Sequence, residues 1–142
     1  MMQPRNNNRK SFKMRSFRKQ TKDSGLLDIG EYGLKVLEGS VFTNKQMETL
    51  KANVLRKLKK LDKTVKVYLK VFPHISISKK PAETRMGSGK GPIELWGCKV
   101  EPGKVILEVV ISEKISSLEV KCILEASGNK LPFKTKFVEA II

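Results

Sequence analysis

The stretch that decides the fold is residues 43–72, TNKQMETLKANVLRKLKKLDKTVKVYLKVF, in which the apolar spacing changes from a helical to a strand period. Thr43 and Gln46 fit a capping box, which predicts that a helix begins here. One apolar stripe follows at helical spacing: Met47, Leu50, Val54, Leu58 and Leu61. From residue 65 to 72 aliphatic residues alternate with Lys66, Tyr68, Lys70 and Phe72, which predicts a strand that packs one face and ends before the next proline.

Shorter apolar stretches predict the remaining elements. Strands are expected over residues 33–37, 75–78, 93–100, 104–111 and 134–138, with a Pro-Gly turn at 101–103. Ser112 is expected to cap a second helix that stops near Gly128. The predicted buried face of this helix consists of Ile115, Leu118, Cys122, Ile123 and Ala126. Two helices among runs of antiparallel strands indicate the α+β class: a two-layer sandwich of a mainly antiparallel sheet with two helices.

The charge excess is the strongest functional signal. The 142 residues include 29 Lys+Arg against 14 Asp+Glu, which gives a formal net charge of +15. This excess indicates a polyanionic partner, with nucleic acid favoured over an anionic membrane surface. No apolar run approaches the ~20 residues that span a bilayer. Two cysteines are too few for a disulfide scaffold or a Cys-rich zinc site. We expect no metal, no cofactor and no homo-oligomer.

The N-terminal segment concentrates this charge. Residues 1–22 contain no acidic residue and eight cations: Arg5, Arg9, Lys10, Lys13, Arg15, Arg18, Lys19 and Lys22. With so few apolar side chains the segment cannot offset its own ordering entropy, so it is either a solvated arm or an arm that orders against phosphates. We favour an RNA-binding extension, followed by one α+β domain over residues 23–142. The segment lacks an apolar core and an amphipathic Arg/Leu helix, so we expect a mature N-terminus rather than a targeting peptide.

A second basic concentration is the Gly-rich loop at 79–91. Its predicted contact residues are Lys79, Lys80, Arg85, Met86, Gly87, Gly89, Lys90 and Gly91. The loop does not match a Walker phosphate loop, because Thr84 and Gly91 occupy the positions that require Gly and Ser/Thr. A dinucleotide-binding pattern also fails, since Pro92 stands where the last glycine is needed. We therefore predict that backbone N–H groups and cations of this loop bind RNA phosphates and catalyse no reaction.

The reactive side chains form no catalytic constellation in the sequence. His74 is the only histidine and follows a proline in a predicted turn. Cys98 and Cys122 are interpreted as small apolar packing residues. We predict no catalytic residue and no enzymatic activity.

The outer face of the first helix carries charge of one sign. Its cations are Lys51, Arg56, Lys59, Lys60 and Lys63. A solvated face is the alternative, but a neutral surface normally mixes in acidic residues, which slightly favours RNA contact.

The loop sequence KPAETRMGSGKG at 80–91 closely resembles the signature of bacterial-type large-subunit ribosomal protein sixteen, a universal family that includes the eukaryotic ribosomal protein ten. Other family-like segments follow the same order over essentially the whole chain: residues 1–5, 33–35, 71–73, 93–96, 102–105 and 130–138. The resemblance implies an α+β sandwich at the base of the central protuberance. Its implied partners are large-subunit ribosomal RNA, A-site transfer RNA and neighbouring large-subunit proteins.

The same resemblance implies the role of the loop. Residues 79–91 would reach towards transfer RNA and the peptidyl-transferase centre, and the protein would support subunit assembly and translation. Arg85 matches an arginine that some bacteria hydroxylate. Ser88 departs from the family, because bacterial members usually carry Lys at this position.

The composition suggests a compartment. Lysine outnumbers arginine 23 to 6 and alanine is rare, as expected from an AT-rich genome. Together with a family-like N-terminus this favours an organelle-encoded copy in the mitochondrial matrix. A plastid and the bacterial cytoplasm are the alternatives.

Overall fold

The computed structural model describes residues 2–5, 10, 26–111 and 115–140. The elements follow one another as β1 (Tyr32–Val36), β2 (Ser40–Thr43), α1 (Asn44–Leu61), β3 (Lys66–Leu69), β4 (Ile75–Ser78), β5 (Ile93–Val100), β6 (Val105–Val110), α2 (Ser117–Gly128) and β7 (Thr135–Glu139). Every strand pairing is antiparallel. The predicted α+β class is confirmed.

Within these residues the strands divide between two sheets. One has the order β3-β6-β1-β7 and the other β2-β5-β4. The short strand β2 was not predicted, because four residues directly before a helix are too few to show a strand period. It pairs with β5 from Ser40 opposite Val100 to Thr43 opposite Gly97.

Helix α1 forms as its sequence predicts. The Thr43 hydroxyl accepts from the Gln46 backbone N–H, and the Thr43 N–H donates to Gln46 Oε1 at 3.1 Å, which completes the capping box. Four residues of the predicted stripe are buried: Met47, Leu50, Val54 and Leu58. The prediction that Leu61 is buried is wrong. Its side chain is 48% exposed in the final turn of the helix, where the helix extends past the core.

Helix α2 corrects the sequence prediction in two respects. It begins at Ser117 with Ser116 at the N-cap, one turn later than a cap at Ser112 would require, and Ser112 itself lies outside the described residues. Its buried residues are Val120, Leu124, Ser127 and Gly128, whereas Leu118, Cys122 and Ala126 are exposed and Ile115 and Ile123 are partly buried. Apolar residues occur around α2 on more than one side, so packing against α1, β1 and β7 selects the buried face rather than periodicity alone.

The remaining strands lie close to their predicted bounds. The exception is β3, which covers only residues 66–69 of the predicted 65–72. Its pairing with β6 stops soon after Leu69, and the chain then crosses Pro73 to reach β4. In the described part of the chain, no helix is long and apolar enough to cross a membrane.

Candidate nucleic-acid interface

Residues 79–91 form a finger that projects from the hairpin of β4 and β5. Its base is closed by a hydrogen bond from the Lys79 N–H to the Pro92 carbonyl at 3.1 Å. Gly91 allows the two legs of the finger to touch, because a Cβ there would lie 2.6 Å from the Lys79 carbonyl oxygen. The finger therefore leaves the sheet from a tightly packed base.

The finger has its own internal bonds although residues 79–90 are all exposed. The Thr84 hydroxyl donates to the Pro81 carbonyl at 2.8 Å, and Lys80 Nζ donates to the Gly87 carbonyl. These short-range bonds shape the loop without burying any of it.

The backbone of the finger adopts left-handed conformations. Gly87 and Gly89 have φ of 97° and 79°, and nothing lies within 4 Å of a Cβ built at either position. Glu83 and Ser88 also have positive φ, at 60° and 59°, which is uncommon for residues with side chains. The glycines are therefore required by the turn geometry, whereas the space around them stays open.

The cations of the finger are available to a partner. Among the residues that the structure describes, none of its four cations forms an ion pair: Lys79, Lys80, Arg85 and Lys90. Met86 is 99% exposed at the tip. The structure thus brings together all the loop residues that the sequence predicts, and it presents their charge to solvent.

Two of the eight predicted arm cations are described, Arg5 and Lys10, and both are exposed. Lys10 Nζ donates to the Lys90 carbonyl at 2.9 Å, so the arm contacts the finger. The Met2 N–H donates to Glu48 Oε1 of α1 at 2.6 Å. The other six arm cations lie outside the described residues, and their role stays a prediction: Arg9, Lys13, Arg15, Arg18, Lys19 and Lys22.

A buried carboxylate anchors the segment that follows the arm. Glu108 of β6 is fully buried and accepts from the N–H groups of Asp28 at 3.2 Å, Ile29 at 2.7 Å and Gly30 at 3.0 Å. Lys70 Nζ lies 3.5 Å from Glu108 Oε1 and 2.6 Å from Asp28 Oδ2. We call these five residues the clasp. It fixes the point where the chain enters the sheet.

The clasp holds its charges in their ionised forms. Burial raises the pKa of Glu108, but the three backbone N–H donors and Lys70 outweigh burial, so the net pKa is lowered. The pKa of Lys70 is raised, chiefly by its hydrogen bond to Asp28. Sequence reasoning missed the clasp. The only signal was one glutamate inside the apolar run VILEVV of β6.

The other reactive side chains have no catalytic geometry. Cys98 is buried in β5, and burial raises the pKa of its thiol to about 11, which confirms a packing role. Cys122 is exposed on α2, so its predicted packing role is wrong. His74 is exposed, with Nδ1 3.2 Å from the Phe72 carbonyl. The described residues contain no group of His, Cys, Asp and Glu that could hold a metal ion.

Fold and site together define a small, strongly basic α+β protein that presents exposed cations on a finger. The family model described as ribosomal protein L16p/L10e matches residues 3–138. The chain belongs to the ribosomal protein L16p/L10e family, which confirms the family indicated by the loop signature. It is a ribosomal structural protein and not an enzyme.

Curated relatives agree over nearly the whole chain. It is similar to large ribosomal subunit protein uL16 of Ureaplasma urealyticum serovar 10, at 40% identity over 141 residues, which cover 98% of this chain and 96% of the relative. The uL16 of Ureaplasma parvum serovar 3 is 41% identical over 142 residues, with the same coverage. The uL16 of onion yellows phytoplasma is 40% identical over 124 residues, 87% of this chain and 86% of the relative. These relatives are bacterial and give no support to the predicted mitochondrial location.

Proposed function

We propose that this chain is a structural component of the large ribosomal subunit, that it binds ribosomal RNA through its arm and finger, and that it orders the A-site transfer RNA region beside the peptidyl-transferase centre. Family membership supports the large-subunit role. One observation carries the finer proposal: the four cations of the finger are exposed above a closed base, and among the described residues none of them forms an ion pair. A surface of this kind gains the most favourable electrostatic energy by binding a polyanion.

The binding is electrostatic. Lysine dominates the cations, so most contacts are point charges against phosphate rather than bidentate base recognition. Arg85 is the exception, because its planar guanidinium can hold a phosphate or a base edge with two hydrogen bonds. Engagement of about 6 to 10 phosphates lowers the affinity by three to five decades between low and moderate salt.

The protein contributes position rather than chemistry. The closed base sets the direction of the finger, and Lys10 of the arm contacts the finger at the Lys90 carbonyl. Arm and finger can then bind adjacent RNA segments as one surface, together with neighbouring large-subunit proteins. We propose the bacterial cytoplasm as the compartment, since the similar uL16 proteins come from bacteria.

The test uses cells whose only copy of this protein is the wild type or a variant. Arg85→Ala is expected to leave the fold intact and to weaken A-site function or subunit maturation. Normal growth with normal subunit profiles would contradict the role of the finger. Lys121→Ala, an exposed cation on α2, is the matched control and is expected to behave as wild type.

The arm has a separate test in the full-length chain. With its eight cations replaced by glutamine, we expect the chain to fold and to enter large subunits poorly, as measured by sedimentation at moderate salt. Full incorporation would contradict the role of the arm. If even the wild-type chain sediments away from large subunits, it is instead a free-standing RNA-binding protein.

A further inference from the structure

A cleft between the two helices belongs to neither the finger nor the clasp. It is lined by one face of α1, by the end of α2 and by the segment that follows α2. Lys45, Thr49 and Asn53 recur at four-residue spacing, which places them on the same face of α1. The cavity volume is about 190 Å³, enough for one large side chain, since a cavity of about 150 Å³ holds a benzene molecule. We call this cavity the interhelical cleft.

The inner part of the interhelical cleft is apolar. Leu50 of α1 is buried, and Leu131, which follows α2, is partly buried against the core. Ser127 is also buried there, and its hydroxyl donates to the Ile123 carbonyl at 2.8 Å. An apolar group that enters the cleft removes leucine surface from water, which favours binding. A phosphate has no such group and would leave this gain unused.

The two side-chain amides of the cleft are oriented as donors. Gln46 Oε1 accepts from the Thr43 N–H at 3.1 Å, and Asn53 Oδ1 accepts from Arg56 at 3.0 Å. Each amide oxygen therefore has a partner, while neither NH₂ group has an acceptor among the described residues. The NH₂ groups are what remains for a ligand, and they require an acceptor such as a carboxylate.

Two lysines lie at the rim of the cleft without an acid beside them. Lys45 of α1 and Lys130, which follows α2, are exposed, and neither forms an ion pair in the part of the chain that the structure describes. The first turn of α1 contains no acidic residue, so the positive end of its helix dipole is also unopposed. Carbonyls at the end of α2, which would repel an anion, already accept from the backbone N–H groups of residues 129–131. The rim therefore favours a negatively charged ligand.

We propose that the interhelical cleft binds an acidic segment of a neighbouring large-subunit protein. One apolar side chain of that segment packs on Leu50 and Leu131, and an adjacent carboxylate accepts from the rim lysines and the amide NH₂ groups. Charge complementarity selects this partner, because the chain has a net charge of +15 and none of the described residues that line the cleft is acidic. The inference rests on the proposed function, since it assumes that the chain lies among large-subunit proteins.

The first experiment measures the binding of blocked tripeptides to the full-length protein by NMR at physiological salt. The probe is Asp-Phe-Asp, and its controls are Asp-Ala-Asp, without the large apolar side chain, and Asn-Phe-Asn, without the carboxylates. We expect the probe to shift the side-chain NH₂ resonances of Gln46 and Asn53 and to bind about tenfold more tightly than either control. Equal binding of Asp-Phe-Asp and Asp-Ala-Asp would overturn the proposal, because it would show only a general attraction to a basic protein.

Variants of the full-length chain locate the bound tripeptide. Lys45→Gln with Lys130→Gln removes both rim cations, and the matched control, Lys66→Gln with Lys136→Gln, removes two exposed lysines elsewhere. We expect binding of Asp-Phe-Asp to weaken about tenfold in the first and less than about twofold in the control. Thr49→Phe, at an exposed position, fills the cleft without a change of charge and should abolish the amide shifts. Retained shifts in Thr49→Phe, or equal affinities of the two double variants, would overturn the proposal.

Crosslinking in purified large subunits separates this inference from the proposed function. A photoreactive residue replaces Asn129, which is exposed and adjoins Lys130. We expect crosslinks to an acidic segment of a neighbouring protein. Crosslinks to ribosomal RNA alone would overturn the inference and leave the proposed function intact. A wild-type chain that stays outside large subunits would overturn the proposed function and this source of the partner, whereas tripeptide binding would still establish which chemistry the cleft recognises.

Discussion

The clasp and the finger use charge in opposite ways. Glu108 is fully buried, and its carboxylate is saturated by three backbone N–H groups and Lys70. Arg85 and Lys90 are exposed and have no acidic partner among the described residues. The first arrangement stabilises the fold, and the second leaves electrostatic energy for a partner. A charged residue in this chain is therefore interpreted from its partners rather than from its type.

The largest expected effect is the removal of the clasp carboxylate. Glu108→Ala removes the shared acceptor of three backbone N–H groups, one buried and two part-buried, and leaves Lys70 with Asp28 as its carboxylate partner, so we expect the free energy of unfolding to fall by about 3–5 kcal/mol. Equilibrium unfolding in denaturant measures this loss of stability. The control is Glu94→Ala, an exposed carboxylate of β5, for which we expect a change within about 0.5 kcal/mol. A loss of less than about 1 kcal/mol in Glu108→Ala would remove the distinction between the two regions.

The clasp also predicts a direction of pH dependence. The folded pKa of Glu108 lies below its ordinary value of 4.5, so the unfolded chain binds the proton more readily. The stabilisation by Glu108 is therefore complete above about pH 4.5 and is lost as the pH falls through the folded pKa. Unfolding free energy measured from pH 3 to 7 should fall more steeply with acid in the wild type than in Glu108→Gln. Parallel curves would show that Glu108 does not carry this dependence.

An intermediate effect is expected at the base of the finger. A Cβ at Gly91 would meet the Lys79 backbone, so Gly91→Ala should separate the two legs and cost about 1–3 kcal/mol. Gly87→Ala meets no neighbour and carries only the cost of its positive φ, about 1 kcal/mol. Unfolding measurements should rank Gly91→Ala as the more destabilising variant. The reverse order would contradict the closed base.

The smallest effect on stability is expected at the tip. Arg85→Ala should change the free energy of unfolding by less than about 0.5 kcal/mol, because the side chain is exposed and forms no ion pair within the described part of the chain. RNA affinity should nevertheless fall by about 10- to 100-fold, the value of a charged hydrogen bond. Stability and affinity measured on one preparation give both numbers. Equal losses in the free energies of unfolding and of RNA binding would show that Arg85 stabilises the fold, as the clasp residues do.

Local patterns predicted much of this molecule. The capping box and stripe define α1, and alternation with turn residues defines most strands, because the information lies within a few residues. The finger was evident from its glycines and cations.

What the sequence could not reveal depends on distant contacts. Glu108 meets residues that precede it by 78 to 80 positions, so no local pattern predicts the clasp. The bond between Lys10 and Lys90 also joins residues 80 positions apart. The buried face of α2 was mispredicted for the same reason, since the neighbouring elements select it.

The most direct test of RNA contact by the finger is site-specific photocrosslinking from position 86, where the native side chain is 99% exposed. A photoreactive residue replaces Met86 in the full-length protein, and a control carries it at Leu118, 70% exposed on α2. In purified large subunits with A-site transfer RNA bound, we expect crosslinks from position 86 to ribosomal or transfer RNA, well above those from position 118. Crosslinks from position 86 to protein alone, or none while the variant is incorporated, would contradict the proposed contact between finger and RNA.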